Sequence, residues 1–391
     1  MRVNSSLSLA TSERSWDVVV IGAGPAGALA AHQLAKRGLQ VLLVERKEFP
    51  RDKVCGGCLG ARAVELLDRV GLSRLLEPST AGRTDALQFY TRTSTLRLPV
   101  PGGRVVCRSE FDRQLVAASI GQGAVFRQRT HAVVEPNLAV GLRRVLLHSE
   151  DGQTETVTAK VVLVCDGLSG GALVRLPWMR ASPSVGSRLG LGTVLDDAAE
   201  FEPDRIHMAV DTPGYVGIVR LPDNRLNIAS AIDPVALKGR QPVAAMSNIL
   251  TACRLPVPEN FTSSHVKSTP LLTRRGGQRA CERLLLVGDA GGYLEPITGE
   301  GMAWAIASAI AAEPLVAEAQ RAWRPHHSDQ WEQTVGHLVA SRQSICRSLA
   351  RLTRHPRLLS YAMRSLATVP WVVAPLINHL NRLPPRLETL C

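Results

Sequence analysis

Residues 17–45 read DVVVIGAGPAGALAAHQLAKRGLQVLLVE, and no other stretch limits the fold as tightly. Asp17 to Ile21 is a short apolar run of the kind that forms a buried parallel strand. Gly22, Gly24 and Gly27 then space as GxGxxG. Pro25 to Arg37 has helical periodicity, with Ala26, Leu29, Ala30 and Leu34 on one face, and Gly38 ends the helix. Leu39 to Val44 is a second strand that ends at Glu45. Gly22 permits a tight turn, Gly24 admits a pyrophosphate to the backbone, and Gly27 lets the helix pack close on the strand. The helix N-terminus supplies N–H groups and partial positive charge. Glu45 can hold a ribose diol. A chance glycine turn accounts for the glycines alone. Strand, helix, second strand and acid together predict a dinucleotide site.

A second motif separates the candidate dinucleotides. Residues 284–309 read LLLVGDAGGYLEPITGEGMAWAIASA. Leu284 to Val287 is another buried strand, followed by Gly288 and Asp289, whose carboxylate can bond a ribityl hydroxyl. Gly299, Glu300 and Gly301 open a helix predicted from Met302 to about Val316. A helix N-terminus there favours the negative charge of a reduced flavin. The pair of motifs predicts FAD rather than NAD. No second complete GxGxxG exists, so NAD(P)H or another reductant is expected as a transient electron donor without a domain of its own.

With 391 residues, 45% of them apolar, the chain can build two or three lobes around a sizeable core. No run of about 18 apolar residues occurs, so no membrane-spanning helix is expected. Residues 1–16 lack a cleavable signal pattern, and eight scattered cysteines fit free thiols in a reducing cytosol. A cytoplasmic location is the expectation.

VVVIGAGPAG, the bend KVCGG, CRSEFDRQL (107–115), VCDGLSG (164–170) and GDAGGYLEPITGEG (288–301) follow one another in this order. The order resembles FAD enzymes of the para-hydroxybenzoate hydroxylase superfold over about residues 17–320. The branch most similar is that of the geranylgeranyl reductases, which share the CGG bend and a PxTGEG segment. The resemblance implies an α/β protein: a Rossmann-like FAD-binding domain interleaved with an antiparallel β-sheet substrate domain, plus a C-terminal helical tail. Its implied boundaries are 17–84, 101–180 and 270–320 for the FAD domain. The substrate domain would take 85–100 and 181–269, and the tail 321–391. Carried over residue by residue, Gly22, Gly24, Ala26 and Gly27 would hold the pyrophosphate. Glu45 and Arg46 would serve the adenosine ribose, and Lys53, Cys55 and Gly56 would lie along the cofactor. Arg108, ahead of a predicted helix Ser109–Ile120, would reach the phosphate or ribityl region, and Asp166 would face the cofactor in a looser motif match. Gly288 and Asp289 would bind ribitol, while Gly299, Glu300 and Gly301 would line the flavin ring.

The bend KVCGGCLG places Cys55 and Cys58 three apart. A structural zinc site needs about four ligands. No second CxxC and no histidine at finger spacing supply them, so no metal is expected. Two readings remain. In one the bend is structural, with Gly56 and Gly57 adopting an unusual backbone conformation and Cys55 as a flavin-side thiol. In the other Cys55 and Cys58 cycle through a disulfide.

LQFYTRTSTLRLPV, HMAVDTPGYVGIVRLP and NRLNIASAI read as strands of the substrate sheet, with LPDN as a hairpin turn. GYVGIVRLP occupies the place of a Tyr-x-Trp-x-Phe-Pro pattern in geranylgeranyl reductases. Tyr215 matches, as a proton donor or a plain strand aromatic, whereas Gly217, Val219 and Arg220 do not. Arg274–Arg275 reads as a solvated turn and His326–His327 as the start of a helix. The six tryptophans give no Trp-x-Trp, which disfavours a halogenase. The TGEGMAW segment favours a reductase that delivers hydride from reduced flavin to a C=C bond, with Cys55 and Tyr215 as candidate catalytic residues. An aromatic monooxygenase is the rival, and a non-enzymatic FAD-stabilised carrier the third class.

The net charge of +12 is uneven: residues 341–391 hold eight arginines and one acid, Glu388. Three short basic amphipathic helices are expected there, interrupted at Pro356 and Pro370. Trp371, Val372, Val373, Leu376 and Ile377 form an apolar patch suited to an anionic membrane. Expected partners are therefore a hydrophobic small molecule and the inner membrane face, contacted peripherally, with no nucleic acid.

Overall fold

The computed structural model describes residues 14–368, apart from 140, 197–199, 296 and 298. The apolar patch at 371–377 and the Pro370 break lie outside them. The first sheet is built on β1 (Ser15–Ile21), which pairs in parallel with β2 (Val41–Val44) and β9 (Thr154–Val164). Beyond β2 lies β6 (Val125–Arg127). Beyond β9 lie β18 (Leu284–Leu286) and the antiparallel β17 (Ala280–Cys281). An antiparallel arm, β7 (Thr130–Ala139) and β8 (Leu142–Ser149), branches from β9.

Helix α1 (Pro25–Lys36) was expected to bury one face, yet ten of its twelve residues are buried. It lies between the sheet, α3 (Arg108–Gly121) and α5 (Gly301–Ala319), so small alanines are needed on every side. Helix α5 is the one described helix whose length and composition would span a membrane. It is 78% buried, packed on α1 and α6 (His326–Leu352), and is a core helix.

The second sheet runs in the order β15–β11–β14–β13–β12–β4–β5–β3. Its strands are β3 (Cys58–Leu59), β4 (Ala81–Tyr90), β5 (Thr95–Val106), β11 (Leu189–Leu195), β12 (Arg205–Asp211), β13 (Gly214–Arg220), β14 (Leu226–Ile232) and β15 (Lys267–Leu271). The sheet thus takes 81–106 almost whole, beyond the expected 85–100. The β13–β14 hairpin turns at LPDN, with Asn224 in the left-handed region. Alternation gives the sheet two faces. Val216, Ile218 and Ile228 pack on α4 (Pro242–Ala252), and Met208, Val210 and Tyr215 face the other way.

The tail differs from expectation. In place of a short helix, α6 runs 27 residues to Leu352, and α7 (Pro356–Thr368) follows the Pro356 break. Helix α6 does begin at His326. His327 is buried there and its Nδ1 accepts the Arg324 N–H at 2.9 Å. Glu318, His326 and His327 form the one described cluster with metal-ligand spacing. An Nδ1 that accepts a backbone N–H leaves the proton on Nε2, which faces Glu318. The cluster is therefore a helix-start cap. Arg274–Arg275 is a two-residue strand, β16, paired with β10 (Ser182–Pro183), and not a free turn.

Candidate functional site

The site forms where β1, β9 and β18 end. Gly22 has φ +101°, and its N–H donates to the Val44 carbonyl at 2.7 Å. A Cβ on Gly22 would lie 2.5 Å from the Cys165 carbonyl oxygen. One on Gly27 would lie 1.8 Å from that of Gly22. A Cβ on Gly24 would meet only an Arg51 side-chain nitrogen, at 3.6 Å. Helix α1 starts there with no side-chain cap and no acid in its first turn, and α5 starts likewise. Two uncapped helix N-termini, one beside an open glycine cradle, fit a diphosphate and an anionic ring.

Glu45 is buried and already employed. One carboxylate oxygen accepts the Ala23 N–H (3.1 Å), the other the Lys47 N–H (3.0 Å), and Arg51 lies 3.3 Å away. A carboxylate has about four acceptor positions, so it can also take ribose hydroxyls. Arg108 is the first residue of α3 and not a residue ahead of it. It makes a bidentate bond to the fully buried Asp112 (3.0 and 2.8 Å), which also lies 3.4 Å from Arg51. Desolvation by its neighbours presses the Lys53 pKa down, although the side chain keeps access to solvent, aided by Arg108 and Arg51 and opposed by Asp289 and Asp112. Asp289 is pushed up by burial against the pull of Lys53 and Arg108. Asp166 rises to about 6 through burial, although its Oδ2 accepts the Ala172 N–H and Arg46 and Lys53 are near. Lys53, Arg108, Asp166 and Asp289, from four distant segments, thus share one cleft. The cradle, the uncapped helices and these charges fit FAD.

In the cysteine bend, Gly57 and not Gly56 needs to be glycine. Gly57 has φ +71° and an added Cβ 2.9 Å from the Val106 carbonyl, whereas Gly56 faces open space. Cys55 Sγ faces the Gly57 N–H, and its carbonyl accepts from Asn227 of the second sheet at 2.9 Å. Both thiols are free. Burial and Cys55 push the Cys58 thiol up to about 12, the reverse of the lowered pKa an attacking thiol needs. The bend ties the second sheet to the loop ahead of α5 that carries Glu295, Ile297 and Gly299, called the flavin loop for its expected role.

That loop carries Gly299, at φ +71° with its Cβ direction 3.7 Å from Cys58, and Glu300, which lies 3.5 Å from Arg62. An added Cβ on Gly301 would lie 3.3 Å from the Tyr293 hydroxyl. Ala26 meets the Cβ direction of Gly288 at 3.0 Å. Tyr215 is buried beneath Arg188, 5.6 Å from ring to guanidinium. Its pKa is raised well above the usual value by burial and by Glu295, against Arg188. Tyr293 shifts the same way, through burial, Asp289, Cys55 and Tyr215. Sequence reasoning missed Arg51, Asp112, Arg188, Asn227 and Tyr293, and named Gly57 without separating it from Gly56. Of the missed residues, Asp112 and Tyr293 stood inside motifs already singled out, and Asn227 inside a strand already read.

The sequence profile described as "FAD binding domain" matches residues 15–328. Among relatives, the conditioned medium factor receptor 1 of Dictyostelium discoideum is 27% identical, covering 83% of this chain and 69% of its own. The menaquinone reductase of Mycolicibacterium smegmatis is 27% identical over 93% of this chain and 91% of its own. Digeranylgeranylglycerophospholipid reductase 1 of Methanopyrus kandleri is 27% identical over 81% and 86%. A solved triple mutant of the flavin-dependent brominase Bmp2 superposes with TM-score 0.76 at 17% identity, covering 94% of each chain, a likeness of fold.

Proposed function

Because this chain belongs to the FAD-binding-domain family of oxidoreductases, we propose that it reduces a carbon–carbon double bond of an apolar, lipid-like molecule. The carrying observation is the inner face of the second sheet. Met208, Val210 and Tyr215 join Ile297 of the flavin loop in one buried apolar cluster, and Leu359 and Met363 of α7 roof it. This packed layer excludes water from the contact between sheet and loop, and an apolar substrate would part it to form a chamber there. Bound FAD, once reduced by NAD(P)H or another transient donor, supplies hydride. The N-terminus of α5 favours negative charge at the ring, and the apolar walls orient the double bond. Tyr215, held protonated by burial, is the proton source nearest the chamber, with Tyr293 beside it. Cys55 and Gly56 would line the approach to the ring, and Arg46 the adenosine side.

Gly217 sets the room available. Its Cβ direction meets the flexible end of Met208, 3.3 Å to Cε, and the Ala229 carbonyl oxygen at 3.6 Å. Gly217→Trp is expected to lower kcat/KM for a long prenyl substrate about tenfold or more while leaving flavin content unchanged. The reaction class is tested by reducing the flavin anaerobically and supplying prenyl quinone or prenyl lipid. Saturation of an alkene, with reoxidation of the flavin, is expected. Turnover that requires oxygen and hydroxylates a ring would sink the reductase reading.

We extend the proposal to a cytoplasmic enzyme that docks peripherally on an anionic inner membrane face. Helix α7 turns Leu358 (57% exposed) and Tyr361 (66%) outward beside the exposed Arg357 and Arg364, and the arginine-flanked patch at 371–377 follows in sequence. Each arginine near such a surface adds about 1 kcal/mol, screened by salt. Co-sedimentation with anionic but not neutral vesicles is expected, reduced by Leu358→Ser/Tyr361→Ser and by removal of 370–391. Equal recovery in the supernatant with both vesicle types at low salt would refute docking.

A further inference from the structure

Where α7 begins, four exposed apolar side chains gather around Arg354: Val185, Val235, Leu358 and Tyr361. Scattered surface valines call for no explanation, but such a group does. Arg354 donates to the Gly186 carbonyl and lies 3.7 Å from the Asp233 carboxylate and 3.9 Å from that of Glu295. It thereby joins the turn at 184–187, the short helical turn Pro234–Leu237 and the flavin loop. Val185 stands fully exposed at the tip of the first turn, and Val235, in the second, is 71% exposed. Leu358 and Tyr361 follow Arg354 in sequence on the outer side of α7.

Both turns are fixed. The Ser184 N–H donates to the Thr273 carbonyl at 2.9 Å and the Ser187 N–H to the Ser184 carbonyl at 3.1 Å, while the Ser187 hydroxyl accepts the Thr273 N–H at 2.8 Å. The Asp233 N–H donates to the Pro213 carbonyl at 3.1 Å, and the Ala236 N–H to the Asp233 carbonyl at 3.0 Å. Backbone bonding thus holds each valine out in water, where burial of its apolar surface is forgone. The surroundings are cationic. Segments 181–190, 231–241 and 351–368 carry Lys238, Arg240, Arg351, Arg354, Arg357 and Arg364 at the surface and a single acid, Asp233, which faces Arg354. Apolar tips set among cations match an anionic bilayer, whose headgroups take the charges and whose acyl boundary takes the valines. A nucleic acid would use the cations and leave the tips in water. The inner side of α7 carries Leu359 and Met363 of the buried cluster that includes Ile297, so a bilayer against the outer side lies one helix away from that cluster.

We propose that Val185 and Val235 insert into an anionic bilayer together with Leu358 and Tyr361, so that the two turns and α7 form one lipid-contacting face above the flavin loop. The face extends the peripheral docking proposed above, on which it rests, by two turns that fix how the enzyme sits on the surface.

The test is flotation of the full-length, FAD-loaded protein with vesicles of phosphatidylglycerol and phosphatidylcholine at low salt. Val185→Asp/Val235→Asp is expected to weaken vesicle affinity about tenfold or more, with flavin content and urea midpoint unchanged because both side chains lie in water. Ile120→Asp/Val174→Asp adds the same charge at exposed positions of the flavin lobe and should leave affinity within about twofold of the parent's. Equal losses in both pairs would reduce the effect to net charge and overturn the proposal. Parent-like affinity in Val185→Asp/Val235→Asp, beside weakened binding in Leu358→Ser/Tyr361→Ser, would overturn it and leave docking by α7 standing. A parent that ignores anionic vesicles removes both. Loss of a parent oligomer in Val185→Asp/Val235→Asp, with vesicle affinity unchanged, would assign the face to a second copy of this chain instead.

Discussion

Gly27→Ala is expected to yield a protein without flavin and with its stability lowered by upwards of ~3 kcal/mol. The added methyl would sit 1.8 Å from the Gly22 carbonyl oxygen and 3.1 Å from Cys165 Cβ. Neither neighbour can retreat. Gly22 is held by its hydrogen bond to Val44, and Cys165 by one from its N–H to the Ile21 carbonyl at 2.7 Å. Helix α1 would have to lift from β1, but it is wedged between α3 and α5 with Leu29 and Leu34 fully buried. Lifting it opens voids around side chains worth about 1.5–3 kcal/mol each. Gly24→Ala is the control. Its methyl meets only a movable arginine end, so the fold should hold and flavin affinity alone should fall. Flavin absorbance per chain and the urea midpoint read both outcomes. A yellow Gly27→Ala protein with the parent's midpoint would show that close packing at this turn is not required.

The second large effect is expected at Glu295→Ala, with a loss of about 3–5 kcal/mol. Arg188 and Glu295 are both almost fully buried, 2.9 Å apart, and Arg188 also donates to the Thr353 hydroxyl at 3.0 Å. This pair joins β11, the flavin loop and the end of α6. Burial raises the Glu295 pKa, and Arg188 opposes that rise without cancelling it. Ionised Glu295 therefore costs the fold something, and the damage in Glu295→Ala comes from stranding a buried guanidinium. Two consequences separate this account from simple loss of packing. Glu295→Leu/Arg188→Met should recover most of the stability. The contribution from Glu295 is complete below its unfolded pKa of about 4.3 and is lost as pH rises through the higher folded value. Glu295→Gln should remove that pH-dependent decline. Equal losses in the single and double variants would rule out the stranded-charge explanation.

Much of the cofactor half was legible because it is local. The turn at Gly22, the helix from Pro25 and the strand to Val44 are set by neighbours within about 28 residues. Gly288–Asp289 and the helix from Gly301 repeat that logic. The companions were legible only in part. Arg108 and Asp112 stand four apart on one helix, so their pairing is local, whereas Arg51 joins them only because α3 folds back beside the cradle. The CGG bend misled in detail for the same reason. The Val106 carbonyl, 49 residues away in sequence, makes Gly57 the constrained glycine, and burial by the sheet decides the character of the Cys58 thiol.

The sequence by itself determined the parallel strand–turn–helix core and the flavin it fits, since backbone conformation and apolar periodicity act over a few residues. Only the tertiary structure decided what lies around that cradle. The Tyr215 face of the second sheet, the α7 side chains packed on it and the Arg188–Glu295 pair each join segments more than 100 residues apart. Their chemistry is set by burial and charge proximity, which arise only when those segments close on one another.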